Sequence, residues 1–383
     1  MEKNIKFERS YELDWLRIIA TILIFFFHCA RIFNYSDWEI KNKQKDFGLS
    51  LFVWYVDFWV IPIFFIIAGM GTFYALGVRK GEVYIKERFN RLMIPLIVGM
   101  FTHLSIQVYL TRVNHSEFSG SFIDFYFFHY FNGIYMGPSS PGNFELFGGH
   151  MWYLLFLFIY SLITLKLFIY LRKEENIAKL SKLGTFFNKP GALFLLTLPI
   201  FIINDISERT LGLPAQGGYQ IPTYIIIFIY GFLLVSHEQF KLSIEKHGIP
   251  AFFLAVGLLF LLYFQDWTGL YSLEPLSGLL RTLCGWCWVI TVLYLGRKFL
   301  NFNHKSLKFL NDIVLPFYIL HQTIIIIVGF YIIGFDLSTT VKYVIISSIS
   351  FAIIIGLVLL IRTNNITRFL FGMRVKKKIN VKE

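Results

Sequence analysis

Ten apolar runs divide the chain, and most are long enough to cross a lipid bilayer. A transmembrane helix needs about 20 mainly apolar residues, whereas membrane β-strands are shorter and alternate in polarity. The runs are continuous, so they favour helices. They cover approximately residues 13–33, 51–76, 92–112, 150–171, 191–205, 220–236, 249–264, 276–295, 311–333 and 341–361.

The composition excludes the other protein classes. Of the 383 residues, 56% are hydrophobic and only 16% are charged. A water-soluble globule could not bury that much apolar surface, and a disordered or fibrous chain would not contain it. The sequence therefore predicts an all-α polytopic membrane protein with about ten transmembrane helices.

Lysine and arginine concentrate in alternate loops between the runs. If the N-terminus is cytoplasmic, the loops on that side hold 26 of these residues and the opposite loops hold four. Positive residues favour the cytoplasmic side, so both termini are predicted to lie on that side. The protein itself is predicted to lie in the inner (cytoplasmic) membrane. The net charge of +12, with the basic tail 362–383, then indicates orientation and lipid contact rather than nucleic acid.

The longest loop, 113–149, contains no lysine or arginine and is rich in aromatic and turn residues. We expect it to form an outer cap with short interfacial helices. The three cysteines fall within the apolar runs and do not suggest a disulfide framework. The sequence predicts a single membrane domain over residues 1–383, with no fused soluble domain.

The first apolar run contains Asp14, Arg17 and His28. An ionisable side chain at the bilayer centre costs about 2.5–3.5 kcal/mol, so each is a functional candidate. Arg17 and His28 share one helix face and lie about 16 Å apart along the axis. The structural alternative is an ion pair between Asp14 and Arg17, with His28 as a hydrogen-bonded core residue.

Other runs add ionisable groups at middle to outer depth: His150 begins the fourth run, Tyr318 and His321 lie in the ninth, and Arg281 lies in the eighth. Histidine is the usual general base because its pKa is close to neutrality. Arginines on the inner side and histidines deeper in the membrane predict a channel that binds an anion and performs proton chemistry.

Two arginines precede the third run on the cytoplasmic side. Arg88 and Arg91 are three residues apart, and guanidinium pairs suit the binding of phosphate groups. Basic residues are also common at cytoplasmic helix starts, so the pair alone is a weak signal.

Several motifs together resemble acyltransferase family 3, a family of integral-membrane acyltransferases. The opening helix YELDWLRIIATILIFFFH has the family's Arg-x10-His spacing. In family order follow PIFFIIAG (62–69), where Ala68 replaces the usual serine, RFNRLMIP (88–95), GGHMWYLLFLFIYSL (148–162) and LPFYILHQ (315–322). The layout is also similar to the glucan-succinylating branch of that family.

The resemblance implies an O-acyltransferase that moves an acyl group from cytoplasmic acyl-CoA to a hydroxyl of an extracytoplasmic carbohydrate acceptor. His28 would act as general base or as acyl relay. His150, Tyr318 and His321 would be further catalytic residues, with an oxyanion donor among them, and Arg281 is a weaker option for that donor. Arg17, Arg88 and Arg91, with Asp14 and Arg281 nearby, would form the site for acyl-CoA, which is a co-substrate, so no tightly bound cofactor is expected.

Two other classes of function remain open. A transporter that exports a glycan or lipid intermediate would use the same cavity of arginine and histidine residues, although no inverted repeat is visible. A catalytically silent scaffold would tolerate loss of His28. The histidines lack the spacing of a metal site, so no metal is predicted. The acyl group, the acceptor and homo-oligomer formation are not determined by the sequence.

Overall fold

The computed structural model describes residues 10–211, 217–268 and 274–376, and these residues form helices joined by turns, without a β-strand. An all-α fold is confirmed. Part of the predicted basic tail, 377–383, and the N-terminal segment 1–9 lie outside the described residues. In chain order, the α-helices are α1 (Tyr11–Arg31), α2 (Phe47–Asp57), α3 (Val60–Val78), α4 (Gly81–Arg88), α5 (Ile94–Met100), α6 (His103–Asn114), α7 (Phe122–Asp124), α8 (Trp152–Leu171), α9 (Glu174–Phe187), α10 (Thr197–Leu211), α11 (Thr223–Leu234), α12 (Glu238–Thr268), α13 (Glu274–Phe299), α14 (Leu307–Ile332), α15 (Thr339–Ile361) and α16 (Asn365–Leu370).

The chain divides into two compact units. Unit 1 comprises Met1–Ala20, Tyr55–Tyr84 and Tyr160–Leu307. Unit 2 comprises Thr21–Trp54, Ile85–Ile159 and Lys308–Glu383. The first helix therefore begins in unit 1 and ends in unit 2.

Seven helices of the described chain are long and apolar enough to cross a membrane, and nine are if each of two bent pairs counts as one span. The protein is therefore a multi-pass membrane protein. The remaining predicted segment, 220–236, contains the 12-residue helix α11, which is shorter than a bilayer span. The count of ten spans and the orientation with both termini inside stay predictions.

Two bent helix pairs account for part of the difference between the predicted apolar runs and the observed helices. The chain bends by 42° between the helices Gly81–Met100 and His103–Asn114. It bends by 111° between Glu174–Phe187 and Ala192–Thr210. At the second bend, Gly191 adopts a left-handed conformation with φ +77°, which glycine accepts readily. Most of the segment 172–190, predicted as a loop, is helix α9.

Unit 2 holds an apolar core in which α1, α14 and α15 meet. Phe25 and Cys29 of α1 are completely buried, as are Ile325 of α14 and Ile354 of α15. The ring of Phe25 packs edge-on against Phe317 of α14, with 5.7 Å between the ring centroids. This packing fixes the face of α1 that lies against α14, and His28 lies on α1 one turn beyond Phe25.

Unit 1 depends on close contact between α3 and α11. A Cβ atom added at Gly69 would lie 2.1 Å from the carbonyl oxygen of Phe228. A Cβ atom added at Gly231 would lie 2.2 Å from the carbonyl oxygen of Ile66. Glycine at both positions lets the two backbones touch, which is a common way for helices to pack in membranes.

A pair of glycine substitutions on α3 tests this contact. Gly69→Ala should lower the thermal unfolding midpoint in detergent, because the backbone of α11 cannot move aside without opening the interface. Gly71→Ala is the matched control, since an added Cβ atom there meets nothing within 4 Å. It should leave the midpoint unchanged or raise it, because alanine is the better helix former. Equal midpoints for the two variants would contradict the predicted contact.

Candidate active site

Two histidines from distant parts of the sequence meet inside unit 2. The Nδ1 atom of His28 lies 2.7 Å from the Nε2 atom of His321. The Nδ1 atom of His321 lies 2.5 Å from the backbone carbonyl oxygen of Tyr318, one turn earlier on α14. His321 is fully buried, with 0% exposure, whereas His28 is half-buried. The pair therefore has an enclosed member and an accessible member.

These contacts determine which ring nitrogens carry hydrogen. A carbonyl oxygen can only accept, so Nδ1 of His321 carries a hydrogen and donates it to Tyr318. When both rings are neutral, Nε2 of His321 is then the acceptor and Nδ1 of His28 is the donor. The second nitrogen of His28, Nε2, is left with its lone pair, and no hydrogen bond joins it to the described residues. It is the atom able to accept a proton or attack a carbonyl.

The loop after α1 holds His28 in place. The indole of Trp38 lies parallel to the His28 ring, with 5.8 Å between the centroids and 12° between the planes. The ammonium group of Lys41 donates to the carbonyl oxygens of Arg31 and Asn34 at 2.6 Å. Lys41 thereby satisfies acceptors at the C-terminal end of α1. No motif in the sequence pointed to Trp38 or Lys41 as part of the site.

His150 lies beside the pair, but its ring nitrogens have other partners. Its ring centroid is 5.0 Å from that of His321. Its Nε2 atom lies 3.0 Å from the Ile319 carbonyl oxygen, so it donates there, and Nδ1 accepts from the Gln107 amide at 3.3 Å. The Tyr318 hydroxyl donates to the His150 carbonyl oxygen at 2.6 Å. The structure thus brings all four predicted catalytic residues together and gives His150 and Tyr318 contacts that hold helices together.

Gln107 connects the helices around the site. Its side-chain amide donates to the Thr323 hydroxyl at 2.7 Å, and its carbonyl oxygen accepts from the Gln322 amide at 3.1 Å. Together with the bond to His150, these contacts join α6, α14 and the 3₁₀ helix Gly149–Met151 that precedes α8. The sequence does not show which residues Gln107 contacts.

In the same unit, the segment 115–148 forms short helices and turns, and we name it the cap. The prediction that the loop 113–149 caps the outer face stays a prediction. The aromatic core of the cap contains Phe125, Tyr130 and Tyr135. The Arg112 guanidinium, only 6% exposed, donates to the carbonyl oxygens of Pro138 and Gly142 at 2.9 and 2.8 Å. Arg112 therefore holds the cap together from the end of α6.

A carboxyl group joins the cap to the loop after α1. The Oε2 atom of Glu39 accepts from the Tyr135 hydroxyl at 2.5 Å and the Thr111 hydroxyl at 2.8 Å. Burial raises the pKa of Glu39 above its ordinary value of 4.5, although the two hydroxyl groups act in the opposite direction. Burial also raises the pKa of Glu145 well above that value, and the Glu39 charge adds to this effect.

The predicted donor-binding arginines of unit 2 lie where α4 passes into a π-helix. Arg88 ends α4, and Arg91 lies within the π-helix Phe89–Met93. The Nε atom of Arg91 donates to the Gly372 carbonyl oxygen at 3.2 Å, so Arg91 also holds the segment after α16. Arg91 is exposed and Arg88 is half-buried.

The other predicted donor-site residues belong to unit 1. Asp14 and Arg17 lie 3.6 Å apart as an ion pair one turn apart on α1, and Arg281 lies on α13. Their assignment to the donor stays a prediction. Among the described residues, no group of three histidine, cysteine or carboxylate side chains could hold a metal ion.

Comparison with known proteins gives a family match and distant relatives. A family model described as "Acyltransferase domain" matches residues 10–361. The relatives include the glucans biosynthesis protein C of Salmonella heidelberg and that of Salmonella typhi. Each is 21% identical over 337 residues, which cover 85% of this chain and 84% of the relative. No solved structure gives a significant match.

The raised pKa of Glu39 predicts a pH dependence of stability. A carboxyl group whose pKa is raised by folding stabilises the fold most when it is protonated, below its ordinary value of 4.5. That contribution is lost as the pH rises through the raised pKa. In Glu39→Gln, the thermal midpoint in detergent should therefore fall less with rising pH than in the wild type. Glu82→Gln, at an exposed position, should keep the wild-type pH profile. Parallel profiles for wild type and Glu39→Gln would contradict the prediction.

Proposed function

This chain belongs to acyltransferase family 3, and from that premise we propose that it transfers an acyl group from cytoplasmic acyl-CoA to a hydroxyl of an extracytoplasmic glycan. The names of its relatives support a glucan as the kind of acceptor. The apolar spans support transfer at a membrane, and we assign it to the inner membrane. The observation that carries the proposal is the pair of His28 and His321, which leaves Nε2 of His28 as a base.

The reaction needs one proton acceptor and one proton donor. The Nε2 atom of His28 takes the proton from the acceptor hydroxyl as its oxygen attacks the thioester carbonyl. The bond between the carbonyl carbon and sulfur then breaks, the ester remains on the glycan, and the thiolate of CoA takes the proton from His28. During the step, the charged His28 ring donates from Nδ1 to His321, which makes His321 a positioning residue.

The remaining predicted catalytic residues support the pair in this proposal. The hydrogens of the His150 ring, the Tyr318 hydroxyl and the His321 ring are each donated to a backbone carbonyl oxygen. They are thus already engaged, so their arrangement favours positioning of the pair over donation to an oxyanion. We assign Arg88 and Arg91 to the phosphate groups of CoA, because both lie in the same unit as His28.

Replacement of His28 tests the proposed function. With purified protein in lipid nanodiscs, labelled acyl-CoA and a glucan acceptor, His28→Gln should lower kcat by about 10²- to 10⁴-fold, which is the usual contribution of a general base. Acyl-CoA binding, measured by calorimetry, should be retained. His304→Ala, in an exposed loop, should match the wild type.

Three results would contradict the proposal. Retained turnover in His28→Gln would remove His28 from the reaction. Isolation of acylated His28 in the absence of acceptor would replace base catalysis by an acyl relay through the same nitrogen. Absence of wild-type transfer with any acyl-CoA, together with movement of a glycan across the membrane, would establish a transporter instead.

A further inference from the structure

A buried carboxamide on α14 lacks a hydrogen-bond partner for either polar atom among the residues that the structure describes. Neither Oδ1 nor Nδ2 of Asn311 makes a hydrogen bond with any residue in the described ranges, and both atoms are inaccessible to solvent. An amide group in this situation costs free energy, because its hydrogen bonds to water are lost without replacement. Such a group calls for a partner that is not part of the protein.

Asn311 belongs to the helix face that builds the candidate active site. Helical spacing places Asn311, Leu315, Tyr318 and Gln322 on one face of α14. The Tyr318 hydroxyl bonds to the His150 carbonyl, and Gln322 bonds to Gln107. Asn311 extends the same polar face away from the histidine pair and lies about 15 Å from His321 along the axis.

The neighbouring turn shows which end of unit 2 Asn311 occupies. A Cβ atom added at Gly372 would lie 2.7 Å from Leu315 and 2.7 Å from the Arg91 carbonyl oxygen. Leu315 is therefore packed against the segment that Arg91 contacts, and it lies one turn from Asn311. The unpartnered amide thus lies toward the arginine end of the unit, and the histidine pair lies farther along α14.

We propose that Asn311 binds an amide group of the pantetheine arm of acyl-CoA, a role that rests on the proposed function. Pantetheine carries two secondary amides between its thioester and the phosphates of the nucleotide. Each secondary amide offers one N–H and one carbonyl oxygen, which match the carbonyl oxygen and the NH₂ of a carboxamide. Asn311 is then a donor-binding residue that directs the thioester toward His28.

The assay combines variants of Asn311 with donors of decreasing length. The donors carry one acyl group on CoA, on pantetheine, which keeps both amides but lacks the nucleotide, and on mercaptoethanol, which lacks the amides. Asn311→Leu keeps the approximate shape and removes both polar atoms, and Asn311→Ala serves if leucine does not fit. Thermal midpoints in nanodiscs show whether each variant is folded.

We expect Asn311→Leu to raise KM about 3- to 10-fold for acyl-CoA and for acyl-pantetheine, as for the loss of one neutral hydrogen bond. The KM for the mercaptoethanol thioester should not change. The thermal midpoint without donor should not fall, because the variant removes an unpaired amide. Ser350→Ala is the control, since the Ser350 hydroxyl is also buried without a partner in the described chain, and its three KM values should match the wild type.

An unchanged KM for acyl-CoA and acyl-pantetheine in folded Asn311 variants would overturn this inference, and so would an equal rise with all three donors. Either result would leave the proposed function intact, provided that the wild type turns over acyl-CoA. If the wild type turns over none of the donors, the proposed function itself fails. The two failures are therefore distinguishable in one experiment.

Discussion

The hydrogen bond between His28 and His321 joins residues that lie 293 positions apart, at 2.7 Å, and the base role proposed for His28 depends on it. Because His321 donates its Nδ1 hydrogen to the Tyr318 carbonyl oxygen, its Nε2 atom can only accept in the pair while both rings are neutral. His28 then presents a bare nitrogen. Without that bond, either nitrogen of His28 could carry the hydrogen, and the half-buried ring would have no defined role as a base.

The surroundings of the pair follow from the cost of polar groups in an apolar interior. Backbone and side-chain polar groups within a membrane protein must find partners inside it. The His150 ring, the Tyr318 hydroxyl and the Gln107 amide each meet this requirement by crossing between helices. These bonds orient α14 and the 3₁₀ helix that precedes α8, and they thereby place His321 where α1 presents His28.

The sequence indicated the apolar spans and the candidate site residues because both are conspicuous against an apolar background. His28, His150 and His321 stand out as ionisable groups inside long apolar runs, and the motifs around them led to the family that residues 10–361 match. Contacts between helices could not be predicted from the sequence, because hydropathy does not show which helices touch. Trp38 and Glu39 lie in a loop without a motif, so their contacts with His28 and Tyr135 emerged only from the structure.

Bends in the helices were missed for a related reason. A hydropathy pattern measures length and polarity, and it continues across a break in the backbone. The 42° bend between Met100 and His103 falls inside the apolar run 92–112, with no lysine, arginine, aspartate or glutamate beside it. The unpartnered amide of Asn311 was also invisible, because a lack of partners is a property of the folded chain.

Nuclear magnetic resonance of isotope-labelled histidine rings in bilayers can detect the direction of the bond between His28 and His321, with His28→Gln and His321→Gln used to assign the signals. Ring nitrogen shifts distinguish a nitrogen that carries hydrogen from one that is bare. We expect both neutral rings to carry hydrogen on Nδ1 and His28 to have a bare Nε2. Hydrogen on Nε2 of neutral His28 would contradict this expectation.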